Sequence, residues 1–399
     1  MAVYKYVIVG GGLSGGSAVE GIREIDKDGP ILMMGGEKYE PYHRPPLTKQ
    51  LWFKKKQVKD IFVHDMEWYS ARGVNLLLGT RAVGLDAREC TVADSSGRTY
   101  AYEKLLLATG GYPRVLGLPG GDLPGVCYFR TLDDFLTLQP QIAEGTSVLV
   151  IGGGFIGSEI SAALNVNKAN VTMLFPSPYL VDRVFPESLG RAITEQYRIR
   201  GVNILANDAP VSIEKDGELY VTRTRNGDEI LTDLVVAGIG IVPGVELARD
   251  AGIQIEDGIV VDEQLASSAP DVYAAGDNAR FPYAALGRPM RVEHWDNALN
   301  QGKVAGRNMA GASESYTYMP YFFSDLFEFG YEAVGDVNSK LETYCDWIKE
   351  NDTGVIYYLA DGQVRGAMMC NVWDRVPDAR ELILKGEVMA PAELAGAVR

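Results

Sequence analysis

The hydrophobic and polar positions of the chain follow two kinds of pattern. Short apolar runs rich in β-branched residues, such as "YKYVIVG" near the start and "TSVLVIGGG" at residues 146–154, are typical of buried parallel strands. Each is followed by apolar residues at helical spacing, which predicts strand–loop–helix units. Towards the end, "YTYMPYFFSDLFEFGYEAVG" and "TGVIYYLADGQVRGAMMCNVWD" predict an antiparallel sheet with a hairpin turn at "ADGQ". "DARELILKGEV" then predicts a final helix.

Two glycine-rich loops share the spacing G-x-G-x-x-G. The first contains Gly10, Gly12 and Gly15, and the second contains Gly152, Gly154 and Gly157. The first glycine of such a motif allows the tight turn, the second lets backbone approach a pyrophosphate, and the third lets helix pack on strand. The helix N-terminus then offers unpaired N–H groups to the phosphates. One copy would be weak evidence, but two copies in this context predict two dinucleotide sites.

The two units differ where an acid should bind the ribose hydroxyls of the adenosine, about 20 residues beyond the third glycine. Glu37 lies 22 residues beyond Gly15 and fits an adenosine with a free 2′-hydroxyl, as in FAD. In the second unit, the segment 175–177 (Phe-Pro-Ser) contains no acid, and Asp182 and Arg183 follow too late for an assignment. The second site is therefore open to NADH or NADPH.

Strand endings rich in small residues divide the chain. "YEKLLLATGGYPR" ends in Ala108, Thr109 and Gly110, and a crossing with many glycines and prolines follows. "DLVVAGIGIVPG", which contains Gly240, and "SAPDVYAAGDNARFP" end in the same way. The predicted fold class is α/β, with two Rossmann-like domains, the second inserted in the first, and a small C-terminal α+β domain. The predicted boundaries are residues 1–116 and 245–318 for the FAD-binding domain, 117–244 for the NAD(P)H-binding domain, and 319–399 for the C-terminal domain.

Composition narrows the classes of partner. A chain of 399 residues with a formal charge of −15 argues against nucleic acid or an anionic membrane surface. No apolar run reaches the ~18 residues that a membrane span needs. The first strand pattern begins by Tyr4, so we expect no targeting segment. The four scattered cysteines favour a reducing cytoplasm and exclude a sequence-local redox pair, although a pair assembled from distant cysteines stays open.

Several segments resemble the two-dinucleotide-binding flavoprotein reductases, and within them the branch of apoptosis-inducing factor, monodehydroascorbate reductase and rubredoxin or ferredoxin reductase. The segments are "RPPLTKQLW", "IGGGFIGSE", "VYAAGD", "RVEHWDNALNQGKVAGRNMAG" and "PYFFSDLFEFGYEAVGD". The similarity runs from Val7 to about Asp336 and is looser beyond. It implies FAD bound non-covalently and NAD(P)H as hydride donor, with no metal site, and it leaves the acceptor open.

The resemblance also implies roles for single residues. Lys49 corresponds to the family's lysine near flavin N5 and Glu159 to its carboxylate partner, which would stabilise the negative charge that hydride brings. The alternative for Glu159 is a salt bridge in the first turn of a helix. Arg44 and Pro45 would line the flavin, and Phe323 would cover its second face or belong to the core.

Further positions are expected around the cofactors. Gly276 and Asp277 match the pair at the ribityl chain, although Asp277 would also suit a helix N-cap. Glu293, His294 and Trp295 would lie at the pyrimidine edge, at the N-terminus of a helix whose dipole supports negative charge. We favour a positioning role for His294 over proton transfer. The segment around Val83 would cover the adenine, and Ile156 and Gly240 would contact the nicotinamide nucleotide.

The segment "EKYEPYHRPPLTKQLWFKKK" lies where related disulfide reductases carry a cysteine pair, and it contains none. Electrons must then leave the flavin directly. Basic residues outnumber acids here, and Lys54, Lys55 and Lys56 would attract an acidic carrier such as ferredoxin or rubredoxin, unless they form only a solvated helix face.

The sequence predicts an FAD-dependent NAD(P)H oxidoreductase that passes electrons to such a carrier. Monodehydroascorbate, quinone or oxygen reduction are alternatives, as is a redox-sensing flavoprotein like apoptosis-inducing factor. The short passage from "EFGYEAVGDVNSK" to "VIYYLADGQV" lacks a long insertion and favours the enzyme. A monomer and a homodimer are both compatible with the sequence.

Overall fold

The structure is a computed structural model that describes residues 2–398. Strands of the first third are β1 (Ala2–Val9), β2 (Ile31–Met34), β3 (Val74–Leu77), β4 (Ala82–Asp86), β5 (Thr91–Asp94), β6 (Thr99–Leu107), β7 (Gly111–Pro113) and β8 (Val126–Tyr128). Strands of the middle are β9 (Ser147–Ile151), β10 (Asn170–Phe175), β11 (Asn203–Ala206), β12 (Pro210–Asp216), β13 (Leu219–Thr224), β14 (Glu229–Thr232), β15 (Leu234–Ala237), β16 (Ile241–Pro243), β17 (Ile255–Glu256) and β18 (Gly258–Val260). The remaining strands are β19 (Val272–Ala274), β20 (Ala279–Tyr283), β21 (Arg288–Arg291), β22 (Tyr321–Leu326), β23 (Phe329–Gly335), β24 (Glu342–Lys349), β25 (Thr353–Ala360) and β26 (Gln363–Cys370).

The α-helices are α1 (Leu13–Ile25), α2 (Met66–Ala71), α3 (Leu132–Leu138), α4 (Phe155–Val166), α5 (Glu187–Ile199), α6 (Glu246–Asp250), α7 (Trp295–Met309), α8 (Val376–Lys385) and α9 (Pro391–Leu394). Short 3₁₀ helices span Pro45–Thr48, Val58–Asp60, Gln139–Gln141 and Ala284–Leu286. Within residues 2–398 the chain divides into two compact units. Unit 1 comprises residues 2–43, 58–112 and 242–320, and unit 2 comprises residues 44–57, 113–241 and 321–398.

Unit 1 is built on a sheet in the order β3-β2-β1-β6-β5-β4, with β19 pairing parallel to β6. The pairs β3–β2, β2–β1 and β1–β6 are parallel, as the apolar runs predict, and the central side chains of β1, β2 and the end of β6 are fully buried. The backbones of helices α1 and α7 are in direct contact: a Cβ on Gly306 of α7 would lie only 2.1 Å from the carbonyl oxygen of Ala18 in α1. A smaller sheet, β17-β18-β20-β21, completes the unit.

Unit 2 contains a parallel sheet in the order β11-β10-β9-β15-β8. A separate antiparallel sheet consists of β12, β13 and β14. The predicted antiparallel sheet is present as β22-β23-β26-β25-β24. Its β25–β26 hairpin turns at Asp361 and Gly362, whose φ angles of 51° and 75° suit the expected tight turn. The final predicted helix is α8, which ends at Gly386 in the left-handed conformation.

Three local expectations are wrong. Asp277 is no helix N-cap, because a turn at residues 276–278 leads directly into β20. The Lys54–Lys56 run lies in turns rather than on a helix face. Glu159 is the fifth residue of α4, beyond its first turn, so a salt bridge at the helix start does not describe it. The predicted NAD(P)H-binding and C-terminal segments fall in unit 2 except for residues 242–244 and 319–320, and the three-domain boundaries stay a prediction.

Candidate functional site

The first glycine loop of unit 1 connects β1 to α1 and has the geometry of a phosphate cradle. Gly10 has φ +133°, and a Cβ there would lie 2.0 Å from the Ala108 carbonyl oxygen, so only glycine fits this turn. A Cβ on Gly15 would lie 2.1 Å from the Gly10 carbonyl oxygen, which allows the close packing of helix on strand. A Cβ on Gly12 would meet nothing within 4 Å. The loop therefore keeps open space at the position where a pyrophosphate approaches the helix N-terminus.

The second glycine loop, in unit 2, repeats this geometry between β9 and α4. A Cβ on Gly152, where φ is +120°, would lie 2.4 Å from the Gly238 carbonyl oxygen, and one on Gly157 would lie 2.0 Å from the Gly152 carbonyl oxygen. Gly154, like the middle glycine of the first loop, has nothing within 4 Å. No side chain caps the N-terminus of α4 or of α1, so both helices leave N–H groups for a ligand.

The carboxyl end of the unit 1 sheet brings several predicted positions together. Ala108, which follows β6, donates its N–H to the Val9 carbonyl, and the Thr109 hydroxyl donates to the Gly244 carbonyl at 2.5 Å. Gly110 and Gly276 both have positive φ, at 64° and 88°. These small residues allow a bound group to approach the strand ends closely.

Two buried amides hold this region and were not predicted as site residues. Asn278 donates to the Leu107 carbonyl at 3.0 Å and to the Thr109 hydroxyl at 2.9 Å. Gln301 of α7 accepts the Gly276 N–H at 2.7 Å. Asn278 Oδ1 and Gln301 Nε2 are buried and have no hydrogen-bond partner among the described residues. Together with the open space at Gly12, these unpaired atoms fit a polar group bound across the strand ends, as FAD requires.

Glu37 and Val83, the two residues predicted to contact the adenosine, lie after β2 and within β4. The Glu37 carboxylate accepts the Tyr42 hydroxyl at 2.6 Å, which orients the acid expected to bind ribose. Val83 is 61% exposed and lies at a register shift in the β4–β5 pair, where a backbone group is released from the ladder. Tyr42 is a contact that the sequence motif does not reveal.

At the start of α7, His294 is the N-cap residue and Trp295 the first helical one. Trp295 Nε1 donates to His43 Nδ1 at 2.9 Å, which fixes the indole. Burial lowers the pKa of His294 to about 4, with the Asp277 carboxylate acting in the opposite direction. Arg291 donates to the Asp277 carbonyl at 3.0 Å and to Glu293 at 2.5 Å, so one guanidinium ties the turn to the helix start.

Residues 44–56, the part of the cysteine-free segment that belongs to unit 2, contain a proline-initiated 3₁₀ helix. Pro45 and Pro46 occupy its first positions, where a missing N–H costs nothing. Arg44 donates to the Arg130 carbonyl at 2.8 Å. Trp52 Nε1 donates to the Leu47 carbonyl at 2.7 Å, which folds the segment back on itself. Lys49, within this turn, is 4% exposed.

Lys49 forms a buried ion pair with Glu159. Lys49 Nζ lies 2.6 Å from Glu159 Oε1, and both residues are at most 6% exposed. The same carboxylate accepts the Thr48 hydroxyl on Oε2 at 2.5 Å and the Ser324 hydroxyl on Oε1 at 2.6 Å. The ammonium also lies 5.1 Å from the centre of the Phe323 ring. Lys49 is therefore held in one position by a carboxylate whose oxygens accept hydrogen bonds from three donors.

The end of β10 in unit 2 has no acid, in agreement with the sequence. Ser177 instead accepts the Asn207 N–H with its carbonyl at 3.0 Å. Beside it lies a cavity of about 550 Å³ whose lining includes Tyr179, Arg191 and Arg198. Ile156, in the first turn of α4, is 39% exposed, and Gly240 has φ +97° and is exposed. Both are accessible to a ligand, and their predicted contact with the nicotinamide nucleotide stays a prediction.

Ser324 and Thr48 were also missed as site residues. A sequence signal existed for Ser324, because it is a lone hydroxyl between Phe322 and Leu326 on one face of a strand. Thr48 lies within the quoted "RPPLTK" motif, yet nothing in the motif says that its hydroxyl reaches α4, 111 residues away.

Within residues 2–398 there is no group of three side chains that could hold a metal ion, and no helix is long and apolar enough to cross a membrane. The four cysteines are all free thiols. Two duplicated dinucleotide loops at the ends of parallel sheets, with a buried lysine in place of a disulfide, define a two-nucleotide flavin oxidoreductase without a thiol relay.

Comparisons with known proteins agree with this class. Residues 4–302 match the family model "Pyridine nucleotide-disulphide oxidoreductase", and residues 305–353 match "Apoptosis-inducing factor, mitochondrion-associated, C-term". A ferredoxin–NAD(+) reductase component of the anthranilate 1,2-dioxygenase system from Burkholderia cepacia is 34% identical over 99% of this chain and 98% of that protein. Rubredoxin–NAD(+) reductase from Pseudomonas putida is 34% identical over 80% of this chain and 83% of that protein.

Among solved structures, the covalent putidaredoxin reductase–putidaredoxin complex is similar, with a TM-score of 0.91, 29% identity and coverage of 98% of this chain and 95% of that one. The chain belongs to the pyridine nucleotide-disulphide oxidoreductase family. It is an enzyme, an NAD(P)H-dependent flavin oxidoreductase whose cofactors are FAD and NAD(P)H.

Proposed function

We propose that this protein takes hydride from NADH or NADPH and passes the electrons one at a time to an iron–sulfur or rubredoxin-type carrier. The absence of a cysteine pair in residues 37–56 carries the proposal, together with the free state of all four thiols. Transfer of single electrons needs proximity to the carrier and no covalent chemistry in the protein. The names of similar reductases, which act with ferredoxin or rubredoxin, support this direction. A cytoplasmic location is part of the proposal, since no disulfide stabilises the chain.

The chain's own residues suit this role. FAD, when bound, supplies a group that accepts two electrons as hydride and releases them singly. The open backbone at Gly12 and the N-terminus of α1 would hold its pyrophosphate, and Glu37 its ribose. The N-terminus of α7 offers a positive dipole end to negative charge, and a neutral His294 there leaves that field unchanged near pH 7.

Lys49 is proposed to stabilise the negative charge that hydride brings. The resemblance to the family assigns this lysine to the reactive edge of the flavin. Its ammonium is buried and paired with Glu159 at 2.6 Å, and it is therefore held in one geometry where a low dielectric strengthens its field. Because hydride transfer needs no proton donor, the site requires no acid–base residue for this step.

Lys54, Lys55 and Lys56 are proposed as the docking surface for an acidic carrier. All three are exposed in the turns that follow the segment containing Lys49. In a chain of charge −15, such a local positive surface would steer an acidic protein and raise the association rate at low salt.

The test is anaerobic rapid mixing of the holoenzyme with NADH or NADPH, followed by a second mixing with an acidic [2Fe–2S] ferredoxin or a rubredoxin. We expect flavin bleaching within milliseconds and carrier reduction that slows as salt is added.

Changing Lys54, Lys55 and Lys56 to Gln should slow carrier reduction about tenfold at low salt and leave bleaching unchanged. Changing the exposed Lys215, Lys349 and Lys385 to Gln alters the net charge equally and serves as control. Equal loss in both variants, or in both half-reactions, would reject the docking surface.

A redox-sensing role is the second candidate, because residues 305–353 match the C-terminal model of apoptosis-inducing factor. Only the stretch between Gly335 and Glu342 connects β23 to β24, which leaves no room for a long insertion there. Slow bleaching that ends in a persistent long-wavelength absorbance band would favour this role over the reductase. Fast turnover with ferricyanide but with no carrier would favour quinone, monodehydroascorbate or oxygen as acceptor.

A further inference from the structure

The buried carboxylate of Glu159 has more donors than an ion pair requires. Lys49 and Ser324 donate to Oε1, both at 2.6 Å, and Thr48 donates to Oε2 at 2.5 Å. Thr48 and Ser324 are 4% and 1% exposed, so water does not compete for either hydroxyl. The Thr48 hydroxyl lies 3.3 Å from the Pro45 carbonyl oxygen, and the shorter contact to the carboxylate is the dominant one.

The carboxylate and its donors come from three separate parts of unit 2. Thr48 and Lys49 end the 3₁₀ helix, Glu159 lies on α4, and Ser324 lies on β22. Burying a carboxylate is unfavourable unless its oxygens are satisfied, and one ammonium alone satisfies one of them. Two neutral hydroxyls complete the shell without adding a competing charge.

The other titratable groups around Glu159 do not replace these donors. They are Tyr197 on α5, Tyr331 on β23 and Asp325 on β22. Burial raises the pKa of both tyrosines well above the usual value, with the Glu159 charge adding to the effect, so both stay neutral. Burial also raises the pKa of Asp325, while the Lys49 charge acts in the opposite direction. Tyr197 donates its hydroxyl to the Ser158 carbonyl and not to the carboxylate.

We propose that Thr48 and Ser324 are positioning residues whose hydroxyls keep Glu159 ionised and thereby fix the Lys49 ammonium in its reactive geometry. Without one hydroxyl, the buried carboxylate loses a hydrogen bond to a charged group, and the neutral carboxylic acid gains in population. Lys49 then loses its counter-charge in a buried site and either deprotonates or moves. The consequence for electron transfer rests on the proposed function, whereas the ionisation of Glu159 does not.

The first measurement is infrared spectroscopy of the oxidised holoenzyme at pH 7, without nucleotide. Thr48→Val and Ser324→Ala should each produce the carbonyl band of a protonated carboxyl group, which disappears when Glu159→Gln is added. Thr48→Ser and Ser324→Thr retain the hydroxyl and should show no such band. Ser161→Ala removes another buried hydroxyl from α4, one without a hydrogen-bond partner among the described residues, and it should resemble the wild type.

The second measurement is the rate of flavin reduction by NADH as a function of pH. Thr48→Val and Ser324→Ala should reduce the rate about tenfold at pH 7, with partial recovery at higher pH as Glu159 ionises again, and Thr48→Ser and Ser324→Thr should restore it. A carboxylate that stays ionised in both hydroxyl-deleted variants would overturn the inference whatever the rates. If the wild type is not reduced by either nucleotide, the proposed function fails, and the infrared band still decides the role of the hydroxyls.

Discussion

The two glycine loops have the same backbone and differ at the fifth residue of the helix that follows. In α1 this residue is Ser17, which is fully buried and whose hydroxyl has no hydrogen-bond partner within residues 2–398. In α4 it is Glu159, which is 6% exposed and has three donors on its carboxylate. The glycines are thus proposed to set where phosphates approach, and under the proposed function a single inward-facing position distinguishes the loop that also takes part in chemistry.

The comparison also separates the groups proposed to bind a ligand from those proposed to take part in the reaction. A phosphate cradle uses backbone N–H groups and space, which a glycine pattern of this spacing provides where it connects a strand to a helix. A buried carboxylate needs partners from elsewhere in the chain, which is why Thr48, Lys49 and Ser324 come with Glu159 and nothing comparable surrounds Ser17. The second loop therefore depends on long-range contacts in a way that the first does not.

The largest expected difference is at this fifth position. Glu159→Ala should lower the free energy of unfolding by about 3–5 kcal/mol, because it leaves the Lys49 ammonium buried without a partner. Ser17→Ala should change it by less than about 0.5 kcal/mol, since no hydrogen bond is lost. Urea unfolding of both variants with the same excess of FAD measures the difference. Similar values for the two would show that the ion pair contributes nothing that the serine position lacks.

The part of this contrast that sequence reasoning predicts is the local part. The strand–loop–helix units, the glycines, the missing cysteines and the missing second-strand acid follow from residues close together in the chain. Lys49 and Glu159 required resemblance to a family, and Ser324 was missed, because its contact with Glu159 spans 165 residues. Asn278 and Gln301 were missed for the same reason, since a buried amide has no periodic signal and its role depends on which carbonyls the fold brings to it.

The middle glycines give the next largest effect and separate the two sites from each other. Because a Cβ at Gly12 or Gly154 meets no protein atom within 4 Å, alanine there should leave folding intact and obstruct only the ligand. We expect Gly12→Ala to weaken FAD binding about 100-fold, or ~2.7 kcal/mol, and Gly154→Ala to weaken NAD(P)H binding similarly while FAD stays bound. Flavin release and nucleotide titration measure the two losses.

Gly10→Ala is the control for that pair, since its Cβ would lie 2.0 Å from a carbonyl oxygen and should prevent folding. If Gly12→Ala also fails to fold, the open space beside it is not a ligand site. If Gly154→Ala loses flavin instead, the assignment of cofactors to the two loops is reversed.

The pH dependence should differ between the units because their buried titratable groups differ. The pKa of His294 in unit 1 is about 4 in the folded protein and ~6.5 when unfolded, so the unfolded state binds more protons between these values. The contribution of a neutral His294 to the free energy of unfolding is therefore fully present above pH ~6.5 and is lost as the pH falls towards 4. We expect wild type to lose about 2 kcal/mol more than His294→Asn between pH 7 and pH 5, as measured by urea unfolding. An identical pH dependence in both proteins would place the acid sensitivity elsewhere.

The smallest expected effect concerns the second-strand acid, which the first site has in Glu37 and the second site lacks. Ser177→Asp places a carboxylate 20 residues beyond Gly157, at the spacing typical of NAD sites, and beside the cavity that Arg191 and Arg198 help to line. Its charge would accept hydrogen bonds from a ribose and repel a 2′-phosphate, so the ratio of kcat/KM for NADH to that for NADPH should rise about tenfold. Ser177→Asn, of the same size but uncharged, should leave the ratio close to that of the wild type. If both substitutions change the ratio equally, the shape of the site at the end of β10 decides the nucleotide preference. The two nucleotide sites then differ at this position in available space rather than in charge.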